Sequence, residues 1–408
     1  MASLIPVTTT RIGEHLPLLD LLNSDSPVSW VRNGEGLVGW GVHATTKVSG
    51  RNRFDDAREW WHRQLETFSV ANSVHGSGTG PVLFSSFSFD RNEESVLVIP
   101  RVIVGQRGSQ SWITWIGDSA QPVLTETVPS SSQGTFTFSE GSISPTDWKE
   151  RVAEAISRIE KSQVDKVVLA RDISAHSSSA IEVQPILKKL AANYPATWTF
   201  AVDGLVGATP ELLLRLSRGM VTSRVLAGTI PKTGDDEKDL ALAASLARSS
   251  KDLEEHEYAV RSVAEALEPF CSSTNVPESP FVLHLANVMH LATDVTGALS
   301  ESKQRIDAFS LLKSLHPSAA VCGTPRNIAF DIIDEIEGMN RGRYAGPVGW
   351  IDASGDGELG IALRTGQING REIRIYAGCG IVAGSNPDKE LEESAAKMIP
   401  MRSALETR

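Results

Sequence analysis

The chain has 408 residues and carries 50 acidic against 39 basic side chains, a formal net charge of −11. That balance argues against a nucleic-acid partner, which wants clustered Lys and Arg, and means that an anionic ligand needs locally placed cations or a bridging metal. With 41% hydrophobic and 22% charged residues, the composition is that of a globular protein whose core can enclose a small-molecule site.

Cys271, Cys322 and Cys379 are odd in number and far apart, so they form neither a disulfide framework nor a zinc set. The opening MASLIPVTTTRIGEH lacks the basic-then-apolar order of a signal peptide, and no stretch approaches the ~18 consecutive apolar residues of a membrane span. The expected location is the cytoplasm, with no membrane partner.

In chain order, EGLVGWGVHAT, PVLFSSFSFD and SVLVIPRVIVG read as strands punctuated by Gly and Pro. Between the first two, Phe54, Ala57, Trp61 and Leu65 recur at helical spacing, with Trp60 and Trp61 expected in the core. The Ser/Gly/Pro-rich stretch 128–145 reads as a linker or long loop and separates a strand-rich part, 1–140, from a catalytic core, 141–408. One compact domain overall is expected.

Ser144-Pro145 then suits an N-cap and first helical turn, with Trp148, Val152, Ala155, Ile156 and Ile159 on one face. DKVVLARD (165–172), TWTFAV, LLLRL and VTSRVL are strand-like. A helical stretch from about 239 to 267 breaks near Ser249, where Ser249-x-x-Asp252 reads as a restarting cap. YAGPVGWID, GELGIALRT and EIRIYAGCGIV are strands joined by Gly-Asp and Asn-Gly turns, and a helix closes the chain over 387–405. Strands joined by hairpin turns and interrupted by long helices indicate α+β: mainly antiparallel sheets packed as a sandwich core, with helices outside.

The residues that could carry chemistry are ambiguous one at a time. Gly378, Gly380 and Gly384 follow G-x-G-x-x-x-G, which is not the dinucleotide fingerprint; backbone approach to a smaller anion suits them better. Asp252 and Glu255 stand three apart on one helix, and Glu390, Glu393 and Lys397 share a face of another. Each set reads equally as a solvated helix face or, jointly, as oxygen ligands for a cation such as Mg²⁺. Glu211, entering an apolar run after Thr-Pro, is either an exposed strand start or a carboxyl with a raised pKa suited to acid catalysis. His290 is either a core histidine or a ligand contact, and Lys166 either a solvated strand end or a buried base.

Taken together and in order, DKVVLARD, ATPELLLR, VLAGTIPK, SSKDLEEHEYAV, VMHLATDVTG, SLHPSAAVCGTPR, RGRYAGPVGW, GIALRTGQI and YAGCGIVAGSNPDKELEESAAKM resemble the chorismate-utilising enzymes, and among them the isochorismate synthases. The match is detailed over residues 145–402 and weaker before. The resemblance implies magnesium bridging the substrate ring carboxylate to Glu255 and Glu393, with Asp252 and Glu390 behind metal-bound waters. It assigns carboxylate contacts to Arg364, Lys397 and the backbone at Gly378 and Gly380, and the enolpyruvyl side to Tyr344. Gly228 and Thr229 would line the ring, with His290 and Ala320 also touching substrate.

The reaction it implies adds water at C2 of chorismate while the 4-hydroxyl leaves, with Lys166 as general base and Glu211 as general acid. Arg171 or burial would keep Lys166 neutral. Lys166 stands where ammonia-using relatives carry glutamine, so no glutaminase subunit is expected, and a monomer is. Ala227 replaces the nucleophilic lysine of aminodeoxychorismate synthases. The alternatives are a salicylate synthase, which shares Lys166 but often has threonine at position 320, and a non-catalytic chorismate-binding module. HPSAAV, Lys232 and NPDKE depart from the commoner pattern without removing a catalytic group.

Overall fold

Backbone hydrogen bonds join twenty-one strands into one network in a computed structural model that describes residues 3–13, 16–118, 120–127, 134–301 and 306–406. Among these residues only Ile5–Ile12 and Phe68–Asn72 pair in parallel; the other pairings are antiparallel, as expected. Strands from the two halves of the chain interleave. Ser29–Val31 pairs with Thr199–Ala201, and Val82–Ser86 with Val348–Asp352. The linker reading at 128–133 lies outside the described residues; just beyond it, Phe136–Glu140 is itself a strand, paired with Ile173–Ser177.

Three large apolar clusters show the layers. Trp30, Phe84, Val98, Phe200 and Trp350 belong to a cluster drawn almost wholly from strands. The other two pack helices onto sheet faces: Trp61, Trp148, Val263 and Leu312 in one, Leu187, Leu190, Met398 and Met401 in the other.

Local chemistry starts the helices. Ser144 Oγ accepts the Asp147 N–H at 3.1 Å ahead of helix Pro145–Glu160, and Ser249 Oγ accepts the Asp252 N–H at 3.3 Å ahead of helix Ser250–Leu267. Each such cap is worth about 1 kcal/mol. The Ser249 cap restarts the chain after helix Asp236–Leu246. The last helix runs Pro387–Leu405 and continues through Pro400.

DKVVLARD opens strand Lys166–Ser177, which is no edge. On one side it pairs with strand Glu372–Ile381 from Val167↔Ile381 to His176↔Glu372; on the other it meets Gly323–Thr324 and Phe136–Glu140. The register fixes which backbone groups face outward. Val168 N–H donates to the Cys322 carbonyl and Ala170 N–H to Glu337 Oε2, both away from the Glu372 strand. Their partners Gly380 and Gly378 are therefore non-hydrogen-bonded pairs, whose backbone N–H and C=O turn from the ladder. No helix among the described residues is long and apolar enough to cross a membrane.

Candidate active site

Around these turned-out glycines lies a cavity of about 50 Å³. Its wall contains Glu211, Gly228, Thr229, Glu255, His290, Ala320, Tyr344, Arg364, Gly378, Gly380 and Lys397, residues far apart in sequence and brought together by the fold. Ala227, which stands where related enzymes carry a lysine, is also in the wall, and Val168, Pro210, Leu226, Val321 and Leu363 complete it, apolar neighbours that the sequence did not single out.

Lys166 sits just behind this wall. It is fully buried, and its Nζ lies 3.3 Å from Glu255 Oε1 and 3.5 Å from the Glu255 carbonyl. A Cβ on Gly380 would stand 2.1 Å from Glu255 Oε1 and 3.0 Å from Lys166 Cε, so only glycine leaves room for the pair. Arg171 does not serve it. Five residues along a strand is an odd step, which puts Arg171 on the opposite face, where its guanidinium donates to Ser394 Oγ at 3.2 Å.

Glu211 is almost entirely buried, and burial pushes its carboxyl up to about 8; the Lys166 charge and the Leu226 N–H oppose the rise. At neutral pH it therefore holds its proton. His290 shows a second enforced state. Arg364, which can only donate, reaches His290 Nε2 at 3.0 Å, so the ring proton is on Nδ1 and donates to Thr229 Oγ1 at 3.1 Å. Burial, then the Arg364 and Lys397 charges, holds this imidazole well below its ordinary pKa. With both nitrogens engaged, His290 sets the direction of Arg364 and offers the cavity its ring face.

Arg364 stands at a break between Gly357–Ile361 and Thr365–Asn369, where GELGIALRT was read as a single strand. Its φ is +50°, a left-handed conformation costly for a non-glycine residue and concentrated at functional sites. Tyr344 stacks on Tyr376 at 5.2 Å, and burial pushes its phenol up to about 12. A Cβ on Gly378 would lie 3.0 Å from the Tyr344 hydroxyl. Gly228, with φ +76°, lets its strand come within 3.0 Å of the Asp252 Cβ, measured from a Cβ placed there.

Asp252 on helix Ser250–Leu267 feels the charges of Glu255 on its own helix and of Glu393 on helix Pro387–Leu405, and Glu390 feels Glu393 too. Three lysines neutralise this cluster: Lys166 on Glu255, Lys251 on Glu390 Oε1 at 2.8 Å, and Lys397 on Glu393 Oε1 at 2.5 Å. Burial would lower the Lys397 ammonium, but Glu393 more than offsets this and holds it above its usual range. Lys397 also donates to the Gly378 carbonyl at 3.0 Å, the outward group that the register exposes. Ligand atoms of Cys379, Glu390 and Glu393 lie within 4.8 Å of one another. Burial holds the Cys379 thiol far above its usual pKa, so it stays protonated and is a poor ligand. The carboxylates remain, an all-oxygen set suited to a hard divalent cation.

Three positioning residues escaped the sequence reading. Arg341 and Glu337 form a buried bidentate pair with Nη2–Oε2 2.5 Å; Arg341 also donates to the Val321 and Val168 carbonyls at 2.8 and 2.7 Å. With the Glu337–Ala170 bond, the pair clamps the Lys166 strand against the Val321 loop. RGRYAG contained Arg341, but only Tyr344 drew attention. Lys251 stands directly before Asp252 in SSKDLEEH and was legible as a cation among acids.

An acid that holds its proton, Glu255 and an arginine–lysine pair meet in the wall of one cavity, with a buried lysine just behind it, and such a gathering of acid, base and cations is that of an enzyme. The chain belongs to the chorismate-binding enzyme family, whose model matches residues 26–406. It is 34% identical over 404 residues to the isochorismate synthase MenF of Bacillus subtilis, covering 90% of this chain and 85% of that one. To the isochorismate synthase DhbC of the same organism it is 34% identical over 360 residues, covering 84% and 86%. In fold it is similar to the menaquinone-specific isochorismate synthase MenF of Escherichia coli, with a TM-score of 0.81 at 23% identity over 98% and 95% of the two chains.

Proposed function

We infer that the protein is an isochorismate synthase, an isomerase converting chorismate to isochorismate with Mg²⁺. The observation that carries the mechanism is the pairing of a carboxylic acid protonated at neutral pH with a buried lysine about one cavity: the Lys166 charge is felt at the Glu211 carboxyl. Arg364 and Lys397, with the outward N–H groups of Gly378 and Gly380, receive the substrate carboxylates. Arg364 is aimed by His290, and Lys397 is anchored on Gly378.

Water then attacks C2. Lys166, which pairs with Glu255 before turnover, must first shed its ammonium proton; as the amine it takes the water proton, Glu211 gives its proton to the departing 4-hydroxyl, and the ring double bond shifts. One water enters and one leaves, so the product is an isomer. Lys166 ends protonated and Glu211 ionised, the states that the reverse reaction requires.

Glu255 and Glu393, backed by Asp252 and Glu390, would hold a magnesium ion. When bound, it would supply positive charge where the substrate carboxylate is received. The lysine-for-glutamine reading at position 166 and the self-contained cavity support a single chain acting without a glutaminase, as a monomer in size-exclusion chromatography.

Purified protein incubated with chorismate and Mg²⁺, its products separated by chromatography, tests the assignment. Isochorismate alone supports it. Salicylate with equimolar pyruvate sinks it in favour of a salicylate synthase, and no turnover in favour of a binding module.

A further inference from the structure

On another face, a cavity of about 550 Å³ opens where two helix N-termini meet. Helix Arg53–Leu65 begins at Asn52 and helix Arg326–Ile336 at Pro325, and neither has a side-chain cap; Arg53 N–H donates to the Gly50 carbonyl at 3.3 Å, and the remaining first-turn N–H groups have no side-chain acceptor. Arg51, Arg53, Arg91, Lys313 and Arg326 line the cavity, a concentration of cations in a chain of net charge −11.

The acids nearby meet only part of this charge: Asp55 pairs with Lys313 at 2.6 Å and Arg58 at 2.9 Å, Asp331 is in the wall, and the charge of Asp90 reaches Arg53, which leaves the arginines in excess. Two buried polar groups also lack partners among the described residues. Arg53 is 6% exposed with its Nε unsatisfied. His316, 4% exposed, has an unsatisfied Nδ1; with Nε2 donating to the Phe89 carbonyl at 3.3 Å this nitrogen is an acceptor, which a protonated phosphate oxygen can meet.

We propose that this cavity is a second ligand site, for a small molecule bearing a phosphate or diphosphate group. Guanidinium forks match phosphoryl oxygens in pairs, and paired helix N-termini supply backbone donors for the rest. A monocarboxylate would leave most of these donors idle. The site is distinct from the catalytic cavity yet linked to it: His316 and Pro317 are in this wall, while Ala320 and Val321, a few residues on, are in the other. The segment between is stiff, with Val321 and Cys322 N–H on the Ser318 carbonyl at 3.2 and 3.0 Å, and Ala319 N–H on Ser262 Oγ at 3.1 Å. A ligand that moves His316 therefore moves Ala320.

Titration calorimetry of the whole chain with pyrophosphate, in metal-free buffer of low ionic strength, tests binding. The expected result is one saturable site that is weakened about tenfold or more by Arg326→Gln and by Arg53→Gln, each of which removes a charged hydrogen-bond donor. It should be unchanged by Lys397→Gln in the catalytic cavity. Arg326 is partly exposed, so that variant tests the site even where the buried Arg53→Gln fails to fold. No saturable binding, or binding lost in Lys397→Gln but retained in Arg326→Gln, would overturn the assignment. For the link, saturating inorganic phosphate should shift the chorismate KM about fivefold in the wild type and not in Arg326→Gln. Equal KM values in both conditions would refute the coupling.

Discussion

Replacing Glu211 by glutamine isolates the acid. The side chain keeps its shape but loses its proton and its capacity for charge. The folded carboxyl titrates at about 8 against an ordinary value of 4.5, because burial penalises the anion. Below pH 4.5 both folded and unfolded chains hold this proton, and the group contributes no pH dependence. Between the two values the unfolded chain has released the proton while the folded chain keeps it, so stability falls as pH rises. Above about 8 the folded state carries the whole penalty, roughly 5 kcal/mol from a shift of about 3.5 units at 1.36 kcal/mol each. Urea unfolding of wild type and Glu211→Gln, taken at about pH 5 and about pH 9, should show the variant gaining on the wild type by about 4 kcal/mol across that interval. Other titrating groups cancel in the difference. A gap that changes by less than about 1 kcal/mol would refute the buried-acid reasoning. The same variant should lose about 10²–10⁴ in kcat, and wild-type kcat should decline as pH passes about 8, where Glu211 gives up its proton.

Other outcomes follow from the same geometry. Lys166→Met should abolish turnover while chorismate still binds by equilibrium dialysis; measurable turnover would remove it from the base role. Gly380→Ala drives a methyl into Glu255 Oε1 and should cut kcat/KM by on the order of 10²-fold, the sensitivity expected of misplaced reacting groups. Glu393→Gln should weaken Mn²⁺ binding, followed by its electron paramagnetic resonance signal, whereas unchanged binding would exclude Glu393 from the metal set. Arg341→Leu leaves Glu337 as a buried unpaired charge and should cost about 3–5 kcal/mol in urea unfolding, with much of that recovered in Arg341→Leu/Glu337→Leu.

Much of this was legible because local chemistry announced it. Asn386-Pro387 marked the last helix, Ser249 marked the restart that carries Glu255, and alternation gave the strand of Lys166. Helices Val183–Asn193, Ala308–Leu315 and Arg326–Ile336 went unread. Two of the three lack a side-chain cap, and their short apolar runs do not distinguish a helix turn from a buried strand. The left-handed backbone of Arg364 had no signal either, because an arginine does not advertise positive φ as glycine does. Burial of Lys166 depended on partners far away in sequence. DKVVLARD reads alike on an edge or in the interior, and only pairing with Val167–His176 opposite Glu372–Ile381 and the glycine at 380 closes water out. The tie of Arg171 to Ser394, rather than to Lys166, is likewise a consequence of strand parity that was available in the sequence and went unused.

Turnover of chorismate with Mg²⁺ in ¹⁸O-water, followed by mass spectrometry and NMR of the product, bears most directly on the central claim. Water activated by Lys166 at C2, with the 4-hydroxyl leaving through Glu211, predicts isochorismate carrying one ¹⁸O, in its C2 hydroxyl. Isochorismate without label, or no isochorismate at all, would contradict it.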